Sequence, residues 1–344
     1  MNTNTKRALA GYNLVYNHVE PIGNRLYKIS TDAGDFALKK SRLTPATVQI
    51  WEQVFRQAYH TGIHTVLPVY LNKDGQLFTL VQDDIYYVQP WLEMNENVHD
   101  TRRVLEELAQ MHVKTEQKVQ LKTEKMKNSL QKYLKFCRKC KEKMEAYITV
   151  FENQRYMSPF ELLACTQYHQ VRASMEVNDS ILEDLLEHLD ETINWQSSLS
   201  HGKLLPEHIY CGKYVYFLNW ESASFDSPVA DLSVYFGEVS QHYHPDPHSF
   251  LEGFAAYMER NELDIVQCQM LLIHLLNPND YFQLIRSYVD KTSCLSMTSK
   301  VQELQHLARP LLFGTALKHF MDEQHAVADS ADDSSNPPQL EGNE

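Results

Sequence analysis

The sequence predicts an α+β chain, β-rich over about its first ninety residues and mainly α-helical after that. Two observations carry the prediction. Strand-and-turn patterns fill residues 24–40 and 76–91, and from about residue 95 apolar side chains recur at helical spacing. At 344 residues and 43% hydrophobic content, the chain is long enough for two separate cores.

In order, NRLYKIS and DFALKK flank the turn TDAG, and QLFTLVQ and IYYVQPW follow the turn NKDG. Two hairpins are expected, with Gly34 and Gly75 in positive-φ positions. Between them, TPATVQIWEQVFRQAYHTG reads as a helix, with Thr44 as N-cap, Pro45 in the first turn and Gly62 at the end. DTRRVLEELAQMHV and SILEDLLEHLDETINW read as helices of the second part. The expected boundaries are 1–93 for the sheet-plus-helix part, 94–325 for the helical part and 326–344 for an acidic tail. From Asp322 onward the chain has seven acidic residues, no Lys or Arg and a Pro-Pro pair, a composition that predicts disorder.

The net charge of -13 argues against nucleic acid as a partner. No apolar stretch approaches the ~18 residues of a membrane span, and MNTNTKRALAGYNLVYNHVE lacks a secretory core. Synthesis and residence in a cytoplasm are expected, without membrane insertion. The six cysteines are scattered, which fits a reducing compartment. Cys137 and Cys140 stand three apart on an expected helix, where an incidental pair is favoured over a metal or redox site. Residues 114–143 hold eleven Lys or Arg interleaved with Glu116, Glu124 and Glu142. A solvated face is favoured there over a basic arm for an acidic partner. His242, His244 and His248 cluster in a Pro-containing stretch, read as a surface cluster rather than a metal site.

Four segments in order resemble one family: YKISTDAGDFALKK, LAQMH, HGKLLPEHIY and FLNWESASFDSPVADLSVYF. The chain resembles the aminoglycoside phosphotransferase and choline kinase superfamily. Within it, the chain is similar to the spore-coat-associated kinase-like proteins of endospore-forming bacteria, the CotS/YutH group, and looks closest to the YutH type. The resemblance covers most of residues 10–320 and implies a bilobal protein-kinase-like fold, with a small β-rich N-lobe and a mainly helical C-lobe. It places Lys39 where such folds contact nucleotide phosphates, with Glu52 of the first helix as the candidate ion-pair partner and Gln53 or a purely structural role as the alternatives, and Gln89 at the start of the segment QPWLE, which joins the lobes beside the adenine. Strand alternation sends Lys39 and Lys40 to opposite faces. The phosphate-covering loop is reduced to Gly23 in HVEPIGNRLY.

The family pattern reads His-Gly-Asp, four residues, then Asn, and downstream Asp-aromatic-Glu. This chain has Lys203, His208 and Asn219 at the three chemical positions, and keeps His201, Gly202, Leu204, Ile209, Trp220, Glu221 and Asp231 as the frame. An ammonium has no lone pair with which to accept a hydroxyl proton. Imidazole and amide replace the hard, charged oxygens that magnesium selects. The expectation is a catalytically inactive kinase fold, a structural or interaction component of the endospore coat. It would be made in the mother cell, bind other coat proteins and need no cofactor or metal. Glu207 or Glu221 acting in a relocated phosphotransferase site, and a nucleotide-binding switch resting on Lys39, are the alternatives. The Lys203 ammonium is expected near the metal position, paired with Glu221 or Asp231, with projection into solvent as the alternative.

Overall fold

The structure is a computed structural model and describes residues 3–93, 100–242 and 247–334. It contains two compact units. The first draws on Met1–Val119, Asn194–Tyr235 and Gly253–Glu262, and the second on Gln120–Ile193, Phe236–Glu252 and Leu263–Glu344. The expected division at residues 93 and 94 therefore falls inside the first unit. Hydrogen bonds hold the pieces of that unit together. The Arg103 guanidinium donates to the carbonyls of Gly212 and Lys213, both at 3.0 Å, and Leu199 N–H donates to Thr115 Oγ1 at 3.0 Å.

The first unit opens with α1 (Thr3–Ala10). Strands β1 (His18–Pro21), β2 (Leu26–Thr31), β3 (Gly34–Lys40), β4 (Thr79–Val81) and β5 (Asp84–Pro90) follow, with α2 (Val48–Thr61) between β3 and β4. The sheet is antiparallel in the order β1-β2-β3-β5-β4. Thr31 faces Gly34 across the first hairpin, where Gly34 has φ 123°. In the second hairpin Val81 faces Asp84, and the left-handed position belongs to Gln82, φ 59°. Gly75, φ 75°, serves instead in the preceding loop, where the Asn72 side chain accepts from the N–H groups of Asp74 and Gln76. Ile29, Leu38, Tyr86 and Val88 bury one sheet face against Ala8, Leu9 and Tyr12.

Helix α2 begins later than the Thr44–Pro45 signal, because Thr44 and Thr47 cap each other in a turn of their own (2.9 Å and 3.3 Å). It ends at Gly62, φ 62°. Its buried face includes Trp51, whose ring lies 5.0 Å from that of Tyr87. Helix α3 (Thr101–Lys114) is capped by Asp100, which accepts from Arg103 N–H at 3.1 Å. Strand β6 (Gln117–Lys122) follows.

In the second unit α4 (Glu124–Glu152) packs along α5 (Pro159–His188), which starts with a Ser158–Glu161 capping box. Cys137 and Cys140 are free, buried thiols on the inner face of α4. Lys141 and Arg138, from the basic stretch, pair with Asp179 and Glu183 of α5. The helix expected over 180–195 stops at His188. Thr192–Ser200 is a strand, β7, since Thr192, Ile193 and Trp195 suit an extended backbone.

A 3₁₀ turn (Pro206–His208) leads into the hairpin β8 (Ile209–Cys211) and β9 (Val215–Phe217). A second 3₁₀ turn (Trp220–Ser222) precedes β10 (Ser224–Asp226), which pairs with β7 so that Ser224 faces Ser200. Helices α6 (Pro228–His242), α7 (Pro247–Met258), α8 (Ile265–Leu275), α9 (Asn279–Val289) and α10 (Met297–Ser334) complete the described chain. Residues 326–334, expected to be disordered, continue α10, where Ala326, Ala328 and Ala331 favour helix. Residues 335–344 lie outside the described residues, as does His244 and the side chain of His242. His248 pairs with Glu252 at 3.1 Å. No described helix is long and apolar enough to cross a membrane.

Candidate functional site

All the residues of the site belong to the first unit. Its base is Asp231, fully buried on α6. One carboxylate oxygen accepts from Ser200 Oγ and Gly202 N–H, both at 2.9 Å. The other accepts from His201 N–H at 2.7 Å and faces His112 Nε2 at 3.3 Å. Burial alone would raise the Asp231 pKa. The hydrogen bond from His112 and the N–H of His201 outweigh that and hold the carboxyl below its ordinary range. The loop after β7 is thus fixed by its backbone. Gly202 sits at φ 71° so close to the Ser222 carbonyl that a side chain there would collide with it.

Behind Asp231 runs a chain of polar groups whose donor directions follow from one another. Gln196 Nε2 donates to Asn261 Oδ1 at 2.9 Å, and Asn261 Nδ2 donates to the Tyr257 hydroxyl at 2.7 Å. The hydroxyl in turn donates to His112 Nδ1 at 2.7 Å, which leaves Nε2–H for Asp231. The segment LAQMH revealed the helix end carrying His112. Nothing in the sequence signalled Tyr257, Asn261 or Gln196, which reach the site only through folding. His201 is similarly satisfied: Nε2 donates to the Leu218 carbonyl at 2.7 Å and Nδ1 accepts from Lys203 N–H at 3.3 Å. Burial lowers its pKa, outweighing the charge of Asp231.

Above this base lies a second chain of polar contacts. Lys39 Nζ pairs with Glu221 Oε1 at 3.1 Å and also donates to Asn219 Oδ1. Asn219 Nδ2 donates to His208 Nε2 at 2.9 Å, and His208 Nδ1–H donates to the Lys203 carbonyl at 2.9 Å. Rotating the Asn219 amide would set its NH₂ against the ammonium, so one orientation satisfies both neighbours. Asn219 has φ 66°, a left-handed conformation that Asn tolerates and most residues do not. Glu221 also accepts from Tyr87 Oη at 3.2 Å and Arg42 N–H at 3.0 Å. Burial raises the Glu221 pKa and these partners, Lys39 first, more than offset it. Burial lowers the Lys39 pKa against the opposing pull of Glu221, and burial beside Glu221 drives the Tyr87 pKa up, keeping its hydroxyl a donor.

Two expected pairings are corrected by this geometry. The Lys203 side chain is exposed and forms no ion pair among the described residues; what the site uses is its peptide group. Lys39, from across the sheet, is the cation that neutralises Glu221. Glu52 is half-buried on α2 and is not the partner of Lys39, because Glu221 holds that place. Lys40 points the other way, to Asp84 at 2.6 Å. Gln89 lies within β5 opposite Ala37, and its side chain donates to the Leu67 carbonyl at 3.2 Å. Glu207 is exposed on its 3₁₀ turn. In the turn holding Gly23, the N–H groups of Ile22 and Gly23 both point to the Leu26 carbonyl.

The donor set does not fit magnesium. That ion needs hard, preferably charged oxygens in an octahedron. Here the Asn219 oxygen faces an ammonium, the ligand from position 208 is a nitrogen already hydrogen-bonded, and the carboxylates of Glu221 and Asp231 are taken up by other donors. The Lys39–Glu221 pair acts as an internal counter-ion. Lys39→Met should cost about 2 kcal/mol at neutral pH, less than the 3–5 kcal/mol of a fully buried pair because the Lys39 side chain is 24% exposed. Glu221, with its lowered folded-state pKa, contributes stability that is complete above about pH 4.3 and is lost as pH falls through the folded value. The deficit of the variant should therefore be largest at neutral pH and narrow in acid, as read by urea unfolding across a pH series.

The fold defines a class: a kinase-like chain with the fold of the aminoglycoside phosphotransferases. An aminoglycoside phosphotransferase from Alicyclobacillus acidocaldarius is similar to this chain with a TM-score of 0.68 at 14% identity, over 92% of this chain and 96% of that one. Spectinomycin phosphotransferase in complex with ADP and spectinomycin gives 0.55 at 13% identity, over 90% and 96%. Amicoumacin kinase in complex with AMP-PNP and Ca²⁺ gives 0.52 at 13%, over 89% and 92%. At these identities the likeness establishes the fold alone. No family model matches the sequence, and no curated protein matches it.

Proposed function

We propose that this chain is a catalytically inactive kinase-fold protein that works by binding other proteins. The observation that carries the reading is Asn219: both ends of its amide are engaged, by Lys39 and His208, at the position where a phosphotransferase of this fold would hold its metal. With an exposed lysine at 203, no group there is placed to accept a substrate hydroxyl proton. A thermal-shift titration with ATP, with and without magnesium, tests it, since a ligand that binds only the folded state raises apparent stability. No shift is the expected result. Stabilisation that requires magnesium would overturn the reading, and stabilisation indifferent to magnesium would mark a metal-free nucleotide switch instead.

The finer proposal is a structural role in the bacterial endospore coat, made in the mother cell and bound to other coat proteins. Its support is the order and spacing of the four segments that resemble the spore-coat-associated kinase-like group. A fluorescent fusion followed through sporulation should form a ring at the forespore surface; a signal that stays diffuse in the mother cell would count against it.

A further inference from the structure

We propose that a groove on the first unit, between α2, α3 and the β8–β9 hairpin, docks an acidic peptide segment of a partner protein. The cavity has a volume of about 1230 Å³, and none of the residues of the Lys39 or Asp231 networks lines it. It exceeds the usual 300–1,000 Å³ of a small-molecule site, which suits a length of peptide better than a metabolite.

Two observations identify the occupant. Apolar side chains stand on the groove while exposed: Tyr59 is 86%, Leu71 59% and Tyr214 56% exposed, a combination that marks binding surfaces. The charge of the lining is inverted relative to the rest of the molecule. On a chain of net charge -13, the lining carries Arg56, Arg103 and Lys213 with a single carboxylate, Glu107. Arg56 forms no ion pair among the described residues, and Lys213 rests over the Tyr214 ring, 5.2 Å from its centroid.

An acidic peptide answers both. Its carboxylates complement Arg56 and Lys213, and its apolar side chains cover Tyr59 and Tyr214. Nucleic acid fits less well, since the apolar floor of Phe55, Ile63 and Val66 offers phosphates nothing.

The test uses the full chain and fluorescence anisotropy. The probe is a labelled peptide in which Glu alternates with Leu, Tyr and Pro, and the control has Lys for every Glu. Saturable binding of the Glu peptide alone is expected, weakened at high salt and weakened at least about tenfold by the double charge reversal Arg56→Glu, Lys213→Glu. Lys39→Met should bind as the original chain does, which separates this proposal from the reading of the kinase site. Equal binding of the two peptides, no binding, indifference to the charge reversal, or tighter binding of a single-stranded oligonucleotide would each overturn it.

Discussion

Asp231→Asn should destabilise the protein by about 3–5 kcal/mol, the cost of removing one partner from a fully buried charged network. Four donors converge on this side chain: Ser200 Oγ, the N–H groups of His201 and Gly202, and His112 Nε2. An amide keeps one acceptor oxygen, so whichever way it turns, its NH₂ meets two donors. Urea unfolding followed by tryptophan fluorescence gives the measurement, with Trp220 buried beside His201 as the nearest reporter. The effect also has a pH signature. The lowered pKa of Asp231 means that its contribution is complete above about pH 3.9 and lost as pH falls through the folded-state value. The gap between the two proteins should therefore close in acid. A loss below about 1 kcal/mol, the worth of an ordinary hydrogen bond, would show that the loop is held by other contacts.

On the function proposed above, the triple substitution Lys203→Asp, His208→Asn, Asn219→Asp should create a magnesium-dependent response to ATP. It returns a carboxylate and an amide oxygen to the metal position and a base to the loop. Asp tolerates the left-handed backbone at 219 nearly as well as Asn, so no backbone rearrangement is needed. With nucleotide at about a hundred times its dissociation constant, stabilisation of about 2.7 kcal/mol is expected. If the folded triple variant gives no shift, the barrier lies outside these three side chains, with the turn at Ile22 and Gly23 the first suspect because its N–H groups are already bonded.

Much of the architecture was legible because it is written locally. Gly34 and Gly62 marked a turn and a helix end through the one property that distinguishes glycine, and alternation along β3 separated Lys39 from Lys40. Where two local signals compete, the sequence misleads. SILEDLLEHLDETINW keeps apolar spacing past the true helix end, and only the place of β7 in a sheet between β6 and β10 decides that Thr192 onward is strand. Gln82 carries a left-handed turn with none of the usual markers. The site divides the same way. Its members were recognisable from the order of segments, but their partners were not. Glu221 lies 182 positions from Lys39 in sequence, and no periodicity links them, whereas Glu52 looked closer and offered equivalent chemistry. For Lys203 the side chain drew attention while the peptide group makes the contacts.

The backbone of Lys203 is also the seam between two systems. Its N–H serves the histidine anchored on Asp231, and its carbonyl serves the chain leading through His208 to Asn219 and Lys39. Side chains 203 and 208 can consequently be exchanged for any residue but proline while the underlying loop stays anchored on Asp231 through main-chain atoms, and position 219 for the few residues, Asp and Gly among them, that accept its left-handed backbone. A combinatorial library over these three codons would sample new chemistries on a pre-formed platform, and the platform itself would be vulnerable mainly at Gly202 and Asp231.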